Sequence, residues 1–266
     1  DTSAFTELLV NPIPFQEGDL ALGEQRVLFT MWFYALFFPE LFPTRPILSL
    51  VGQSGSIKTF ALKKVGRLLF GDSFDVMQLS TDPKDFDAAV TNSPYVAVDN
   101  SDTRIDWLDD RLAVAATGGS IQRRELYTTN RLVQYPIVAS VAVTSRTPHF
   151  RREDIADRLL LFYLARLHTF APEAELLRDL QRRRNEIMTE VVGHLQEIVS
   201  ALRDQQHETY PTKLRMADFA SFALKIAHAQ GWGERMHSML TRMAGDQVSF
   251  ALEGEPVRDL LEMWLA

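Results

Sequence analysis

The sequence contains no cysteine. That absence excludes a disulfide frame, a thiolate zinc site and a cysteine nucleophile, and a reducing cytoplasm fits where an oxidising compartment is not required. A membrane-length apolar run is also missing. The strongest candidate, VLFTMWFYALFF from Val27 to Phe38, is stopped by Pro39, short of the roughly 18 to 20 apolar residues needed to cross a bilayer. It reads as a buried helix, and no membrane contact is expected. Basic excess is lacking too: 28 Lys and Arg stand against 35 Asp and Glu, for a net charge of -7. Nucleic acid is therefore not held by bulk electrostatics, and any such contact must be local. The 6 histidines have no metal-ligand spacing, and neither a repeat, a low-complexity tract nor a signal peptide is found. The chain opens at Asp1 without a methionine, as an excised domain would.

The 266 residues, 46% hydrophobic and 24% charged, have the composition of an ordinary globular protein. Residues 1–23, with Pro12, Pro14 and Gly18, read as an extension or linker into a helix from about Glu24 to Leu41. Ile47 to Val51 is a short apolar run between proline and glycine, the pattern of a strand buried on both faces. A helix over Phe60 to Phe70, a strand over Phe74 to Leu79, a helix after Asp82-Pro83 and a strand over Tyr95 to Val98 follow. Next come a helix from about Ile105 to Ala116 and two alternating runs, Ser120 to Tyr127 and Arg131 to Tyr135, that read as a hairpin. Ile137 to Thr144 and Leu159 to Leu164 are further strands, with a short helix near Glu153 to Arg158 between them. Strands alternating with helices predict an α/β fold with a mostly parallel sheet covered on both faces. Beyond Pro172 only helices are expected: one long from about Glu173 to Arg203, one from Met216 to Gln230, and a last one from Pro256. The boundaries follow: an extension at 1–23, a core at 24–169 and a C-terminal helical lid at 170–266.

The loop GQSGSIKT, made of Gly52, Gln53, Ser54, Gly55, Ser56, Ile57, Lys58 and Thr59, lies between a strand and a helix. In that context backbone N–H groups and the helix N-terminus form an anion cradle. Lys58 can reach terminal phosphates as a point charge, and the Thr59 hydroxyl is a hard ligand for Mg²⁺. The usual pattern GxxxxGK[ST] has glycine immediately before lysine; here Ile57 occupies that place, and its β-branch crowds the turn unless the residue is already helical. Asp99, at the end of YVAV, suits a carboxylate that holds the metal with Thr59. The next residue is Asn100, which can position water without accepting its proton; Asp102 is an alternative acid.

Taken together, GQSGSIKT, YVAVDNSD, TGGSIQRRELYTTNRLV, TSRTPHFRREDIADRLLLFYL and LRMADFASFA resemble the AAA+ P-loop ATPases of phage and mobile-element replication proteins. These are helicase-like domains often joined to a primase. The resemblance implies a Walker A loop, a Walker B Asp99, ATP and Mg²⁺ as ligands, and a ring, expected to be a hexamer, with nucleotide between subunits. It puts Thr144 at the sensor position, Arg152 and Arg158 at the subunit boundary as candidate arginine fingers, and Arg215 in the helical lid as a second sensor. Ordinary readings stand beside these: a strand-end threonine, a surface salt-bridge network with Asp154 and Asp157, and a first-turn arginine. The hairpin resembles the insertion before the sensor strand of superfamily III-like helicases, so Arg123, Arg124 and Arg131 would face DNA, single-stranded by expectation. A solvated hairpin or a subunit contact is the other reading.

The function expected is a Mg-ATP-hydrolysing motor, a DNA helicase or translocase for replication of a phage or mobile element. Its rivals are an ATP-driven switch or protein remodeller, a P-loop phosphotransferase and a degenerate nucleotide-binding scaffold.

Overall fold

The structure, a computed structural model, describes residues 3–101, 105–124, 132–147, 150 and 152–252, leaving aside the side chains of 123, 124 and 248–252. Five strands, β1 (Ile47–Val51), β2 (Met77–Gln78), β3 (Tyr95–Asp99), β6 (Ser140–Ser145) and β7 (Leu159–Tyr163), form a parallel sheet in the order β2-β3-β6-β1-β7. Two more, β4 (Ser120–Arg124) and β5 (Leu132–Pro136), form the expected antiparallel hairpin. The helices are α1 (Leu22–Ala35), α2 (Lys58–Phe70), α3 (Lys84–Asn92), α4 (Leu108–Ala116), α5 (Glu153–Ala156), α6 (Glu173–Arg182), α7 (Arg184–Asp204), α8 (Ala217–Ala229) and α9 (Gly233–Leu252). No helix among the described residues is long and apolar enough to cross a membrane.

Strand periodicity divides the interior into two cores. Leu48, Leu50, Tyr95, Ala97, Ala142, Leu160 and Phe162 point to one face, whereas Ile47, Val51, Val96, Val98, Val141, Val143, Leu159 and Leu161 point to the other. The second face is covered by α3, α4 and α5; the first by α1, α2, the N-terminal stretch and the C-terminal helices. Burial on both sides explains why these strands read as unbroken apolar runs.

Three expectations meet a different arrangement. Residues 4–20, read as an extension, are packed: Phe5, Leu9, Val10, Ile13 and Phe15 are buried, and Phe15 bridges antiparallel to Leu164 beyond the end of β7. Glu190 of α7 accepts the N–H groups of Ala4 and Phe5, each at 2.9 Å. The helix expected over Glu173 to Arg203 is broken at Arg183, whose φ and ψ are -95° and 7°. Arg183 pairs there with Glu186 and Glu7, and Arg184 donates to the carbonyls of Leu68 and Leu69 at the C-terminal end of α2. The strand expected over Phe74 to Leu79 shrinks to β2, because Phe74 instead stacks on Tyr95 and closes over Gly66 of α2. Helix α9 has no counterpart among the expected helices, and the helix expected from Pro256 lies outside the described residues.

Parallel strands deliver all their carboxyl ends to one edge of the sheet. Since β6 lies between β1 and β3, that edge brings together the loop after β1, Asp99 at the end of β3 and Thr144 near the end of β6. Such an edge, where the chain crosses from β6 past β1 to β7, is where open α/β sheets bind ligands. The hairpin leaves from the opposite edge: Ile137 N–H bonds Gly119 O at 3.0 Å, and β6 begins beside Tyr95, the first residue of β3.

Candidate phosphate and metal site

The loop from Gly52 to Thr59 is fixed at both ends. Gly52 N–H donates to Ser145 O at 3.1 Å, Leu167 N–H donates to Gly55 O at 3.0 Å, and both the N–H and the hydroxyl of Ser56 fold back to Gln53 O at 3.3 and 2.8 Å. Glycine at 52 is a matter of space, since a Cβ there would come within 2.5 Å of Leu164 O. At 55 it is a matter of conformation as well, with φ at +85° and Phe170 and Arg166 packed alongside. Ile57 has φ 51° and ψ 22°. It is therefore not a helical residue whose β-branch costs little: it sits in the left-handed region that glycine would occupy without strain.

Ile57 is the N-cap of α2 and offers no side-chain cap, so the helix opens bare toward a cavity of about 560 Å³. Into this mouth Lys58 projects its Nζ, donating to Gly52 O at 2.5 Å, Gln53 O at 3.1 Å and Ser56 Oγ at 3.2 Å. Thr59 Oγ1 donates to Asp99 Oδ1 at 2.6 Å. Thr144 Oγ1 donates to the same oxygen at 2.6 Å and accepts the N–H of Asn100 at 3.0 Å. Asn100, with φ 57°, sits in the left-handed conformation asparagine tolerates better than most residues, and it lines the cavity.

The sequence reading has Thr144 as a sensor facing phosphate or water. In the structure Thr144 is 1% exposed and lines the cavity, and its hydroxyl is bonded to Asp99 and to the N–H of Asn100, so it holds the carboxylate and the turn after β3. Ser101 tightens the same turn, its N–H and hydroxyl both meeting Thr144 O, at 2.8 and 2.9 Å. The donor set tests whether Mg²⁺ and phosphate fit. A threonine hydroxyl beside a carboxylate gives hard oxygens, and the loop, α2 N-terminus and Lys58 give donors for anionic oxygens. Both fit: Thr59 and Asp99 would hold the metal, while Lys58 and the loop would hold phosphate.

Not every candidate is drawn into this cavity. Arg152 forks onto Asp154, at 3.0 and 2.8 Å, and reaches Asp110 at 2.5 Å. Arg158 donates to Asp154 O at 2.5 Å, and Arg215 pairs with Asp157 at 2.8 Å beside a separate cleft. Arg123 and Arg124 lie on β4 of the separate two-stranded hairpin, and Arg131 and Asp102 lie outside the described residues.

Conversely, the cavity includes residues the sequence reading does not single out: Gln78, Arg146, Phe170 and Glu173. A charged residue at the carboxyl end of a buried central strand is a signal available for Arg146. For Phe170 and Glu173 no local signal exists, because only the return of α6 over α2 brings them there. A second cleft of about 640 Å³ adjoins, sharing Ile57, Phe60, Phe170 and Glu173 and walled by Leu8, Pro12 and Leu176. Lys64 stands on its wall, donating to Leu8 O, and burial pushes its amine down to about 8.

No curated protein matches the chain. Among solved structures, the apo A form of the NrS-1 C-terminal region, residues 305–718, aligns at 12% identity over 94% of this chain and 68% of that one, with a TM-score of 0.48. A likeness that loose carries no weight for function. The family model described as actinomycete integrative conjugative element replication protein matches residues 18–243, a span that takes in the loop after β1, the whole parallel sheet and the first part of α9. By that match the chain belongs to the replication proteins of actinomycete integrative conjugative elements.

Proposed function

We propose that this replication protein is a P-loop ATPase of the AAA+ type, a Mg-ATP-driven motor that assembles into a ring, expected to be a hexamer, and moves on DNA as a helicase or translocase. One observation carries the reading: the Thr59 hydroxyl lies 2.6 Å from Asp99 at the mouth of a loop whose lysine and bare helix N-terminus face the same cavity. Mg²⁺ held by Thr59 and Asp99 would supply neutralisation of phosphate charge. The chain's own groups do the rest. Lys58 orients the terminal phosphates, Thr144 keeps Asp99 in place, and Asn100 offers a neutral amide that aligns water without taking its proton. The apolar cleft beside Phe170 and Ile57 suits a nucleobase, and the phosphate chain would then run toward Asp99.

Lys58→Ala is expected to weaken ATP binding by about one to two decades, the loss of a charge-assisted hydrogen bond of roughly 1.5 to 3 kcal/mol, with the fold retained and a cooperative thermal melt. Titration with a fluorescent ATP analogue checks this, and parental affinity and turnover in the variant would remove the assignment. Particle images with an ATP analogue test the ring. If Arg152 or Arg158 acts across a subunit boundary, an alanine variant of either recovers hydrolysis when mixed with Lys58→Ala chains. A second reading, a nucleotide-binding scaffold with little turnover, draws on the left-handed Ile57 and on Asn100. Steady-state phosphate release separates the two.

A further inference from the structure

We infer that Arg146 is the phosphate-sensing arginine of this site, supplied by the same chain that binds the nucleotide, an inference that rests on the ATPase reading above. The position comes from the sheet. Ser145 is the last residue of β6, and its carbonyl accepts the Gly52 N–H that anchors the phosphate loop. One residue earlier, Thr144 grips Asp99. Arg146 is therefore the next residue out from a strand clamped on both sides, between Lys58 and the metal carboxylate, and it lines the cavity with them.

Arg146 and the three arginines expected at the subunit boundary and in the lid differ in what holds them, while Arg166, beyond β7, packs beside Gly55 and is not among the residues lining the cavity. Arg152, Arg158 and Arg215 are each engaged, by Asp154 and Asp110, by Asp154 O and by Asp157. Arg146 is exposed, lies in the cavity, and has no carboxylate or carbonyl bonded to it among the described residues. A guanidinium is always charged and presents a planar fork of donors that matches phosphate oxygens. Because Arg146 follows the strand that carries Thr144 and lines the cavity with Lys58 and Asp99, its contact is assigned to the γ-phosphate, and it grows as charge builds there on hydrolysis. An arginine in cis at that place is a known chemical solution in other phosphoryl-transfer enzymes.

The experiment compares the parent, Arg146→Ala and Arg146→Lys for affinity toward ADP and toward a non-hydrolysable ATP analogue, both with Mg²⁺, and for steady-state hydrolysis. Arg146→Ala should bind ADP within about twofold of the parent, bind the ATP analogue about tenfold more weakly, and hydrolyse ATP about 10³-fold more slowly. Arg146→Lys should regain part of the analogue's affinity and little of the rate. Mixing Arg146→Ala with Lys58→Ala chains should recover no hydrolysis, because each chain then carries one lesion in its own site and no site is intact. Parental hydrolysis in Arg146→Ala, equal loss of ADP and analogue binding, or recovery on mixing would each overturn the inference. A parent that binds no ATP would overturn the ATPase reading itself, an outcome told apart because it shows before any variant is compared.

Discussion

At the scale of single residues, the loop carries a conformational cost that its sequence motif announces. A non-glycine residue in the left-handed region costs roughly 1 to 2 kcal/mol, and Ile57, being β-branched, belongs with the strained cases. Ile57→Gly should relieve that strain, offset in part by the greater freedom of glycine in the unfolded chain, for a net gain of about 1 kcal/mol or less. Nucleotide affinity should be equal or tighter. A denaturant midpoint at or below the parent's would show that the packing of Ile57 in the adjoining cleft outweighs the backbone strain. Thr144 teaches a related lesson. It is visible in the sequence as a strand-end hydroxyl, but its bond to Asp99, at 2.6 Å and on a neighbouring strand, is visible only in the fold.

At the scale of elements, α9 is tied to the N-terminal stretch by charges of opposite consequence. Arg242 forks onto Glu24, at 2.9 and 2.7 Å, and donates to Asp19 O at 2.7 Å; its hydrogen bond holds the Glu24 carboxyl below its ordinary range. Asp246, a turn further on, is pushed up to about 6 by burial and by the facing Asp19, against the opposing pull of Arg242. The folded state thus holds a proton on Asp246 more tightly than the unfolded chain does. The stability this contributes is present below about pH 4 and is lost as pH rises through about 6. Asp246→Asn should therefore stabilise the protein at pH 7.5 by about 1 kcal/mol, a figure reduced for partial exposure, or about 2 °C in melting temperature. The difference should shrink toward pH 4.5. Melts that differ equally at both pH values would place the effect in packing and not in the ionisation.

At the scale of the whole molecule, the candidate phosphate site lies at the carboxyl ends of the five-stranded sheet, and the separate two-stranded hairpin joins near the opposite ends of its strands. With a net charge of -7, bulk attraction to DNA is absent, so a contact through the hairpin rests on local arginines. Arg123→Ala combined with Arg124→Ala should weaken single-stranded DNA binding and flatten its salt dependence by about 0.7 log unit for each phosphate that is no longer neutralised, while basal ATP hydrolysis persists. Binding isotherms at several salt concentrations check this. An unchanged slope would assign the hairpin to a subunit or protein contact, which its exposed Leu132 and Tyr135 also suit.

Much of this protein was determined locally. Apolar runs too short for a helix sufficed for β1, β3, β6 and β7, since strands buried on both faces read as continuous apolar segments of about five residues. The phosphate loop was legible because its chemistry is contiguous: glycines, lysine and threonine all lie between Gly52 and Thr59. What the tertiary structure decided were relations between distant segments. The placing of β6 between β1 and β3 makes Thr144 a partner of Asp99 and brings Arg146 to the cavity. The break at Arg183 turns one apolar helical pattern into two helices, since Arg184 gains the carbonyls at the end of α2. The N-terminal stretch became core because Glu190, Lys64 and the end of β7 meet its backbone groups. Periodicity records which faces are apolar; it holds no record of which buried hydrogen-bonding group will find which partner across the fold.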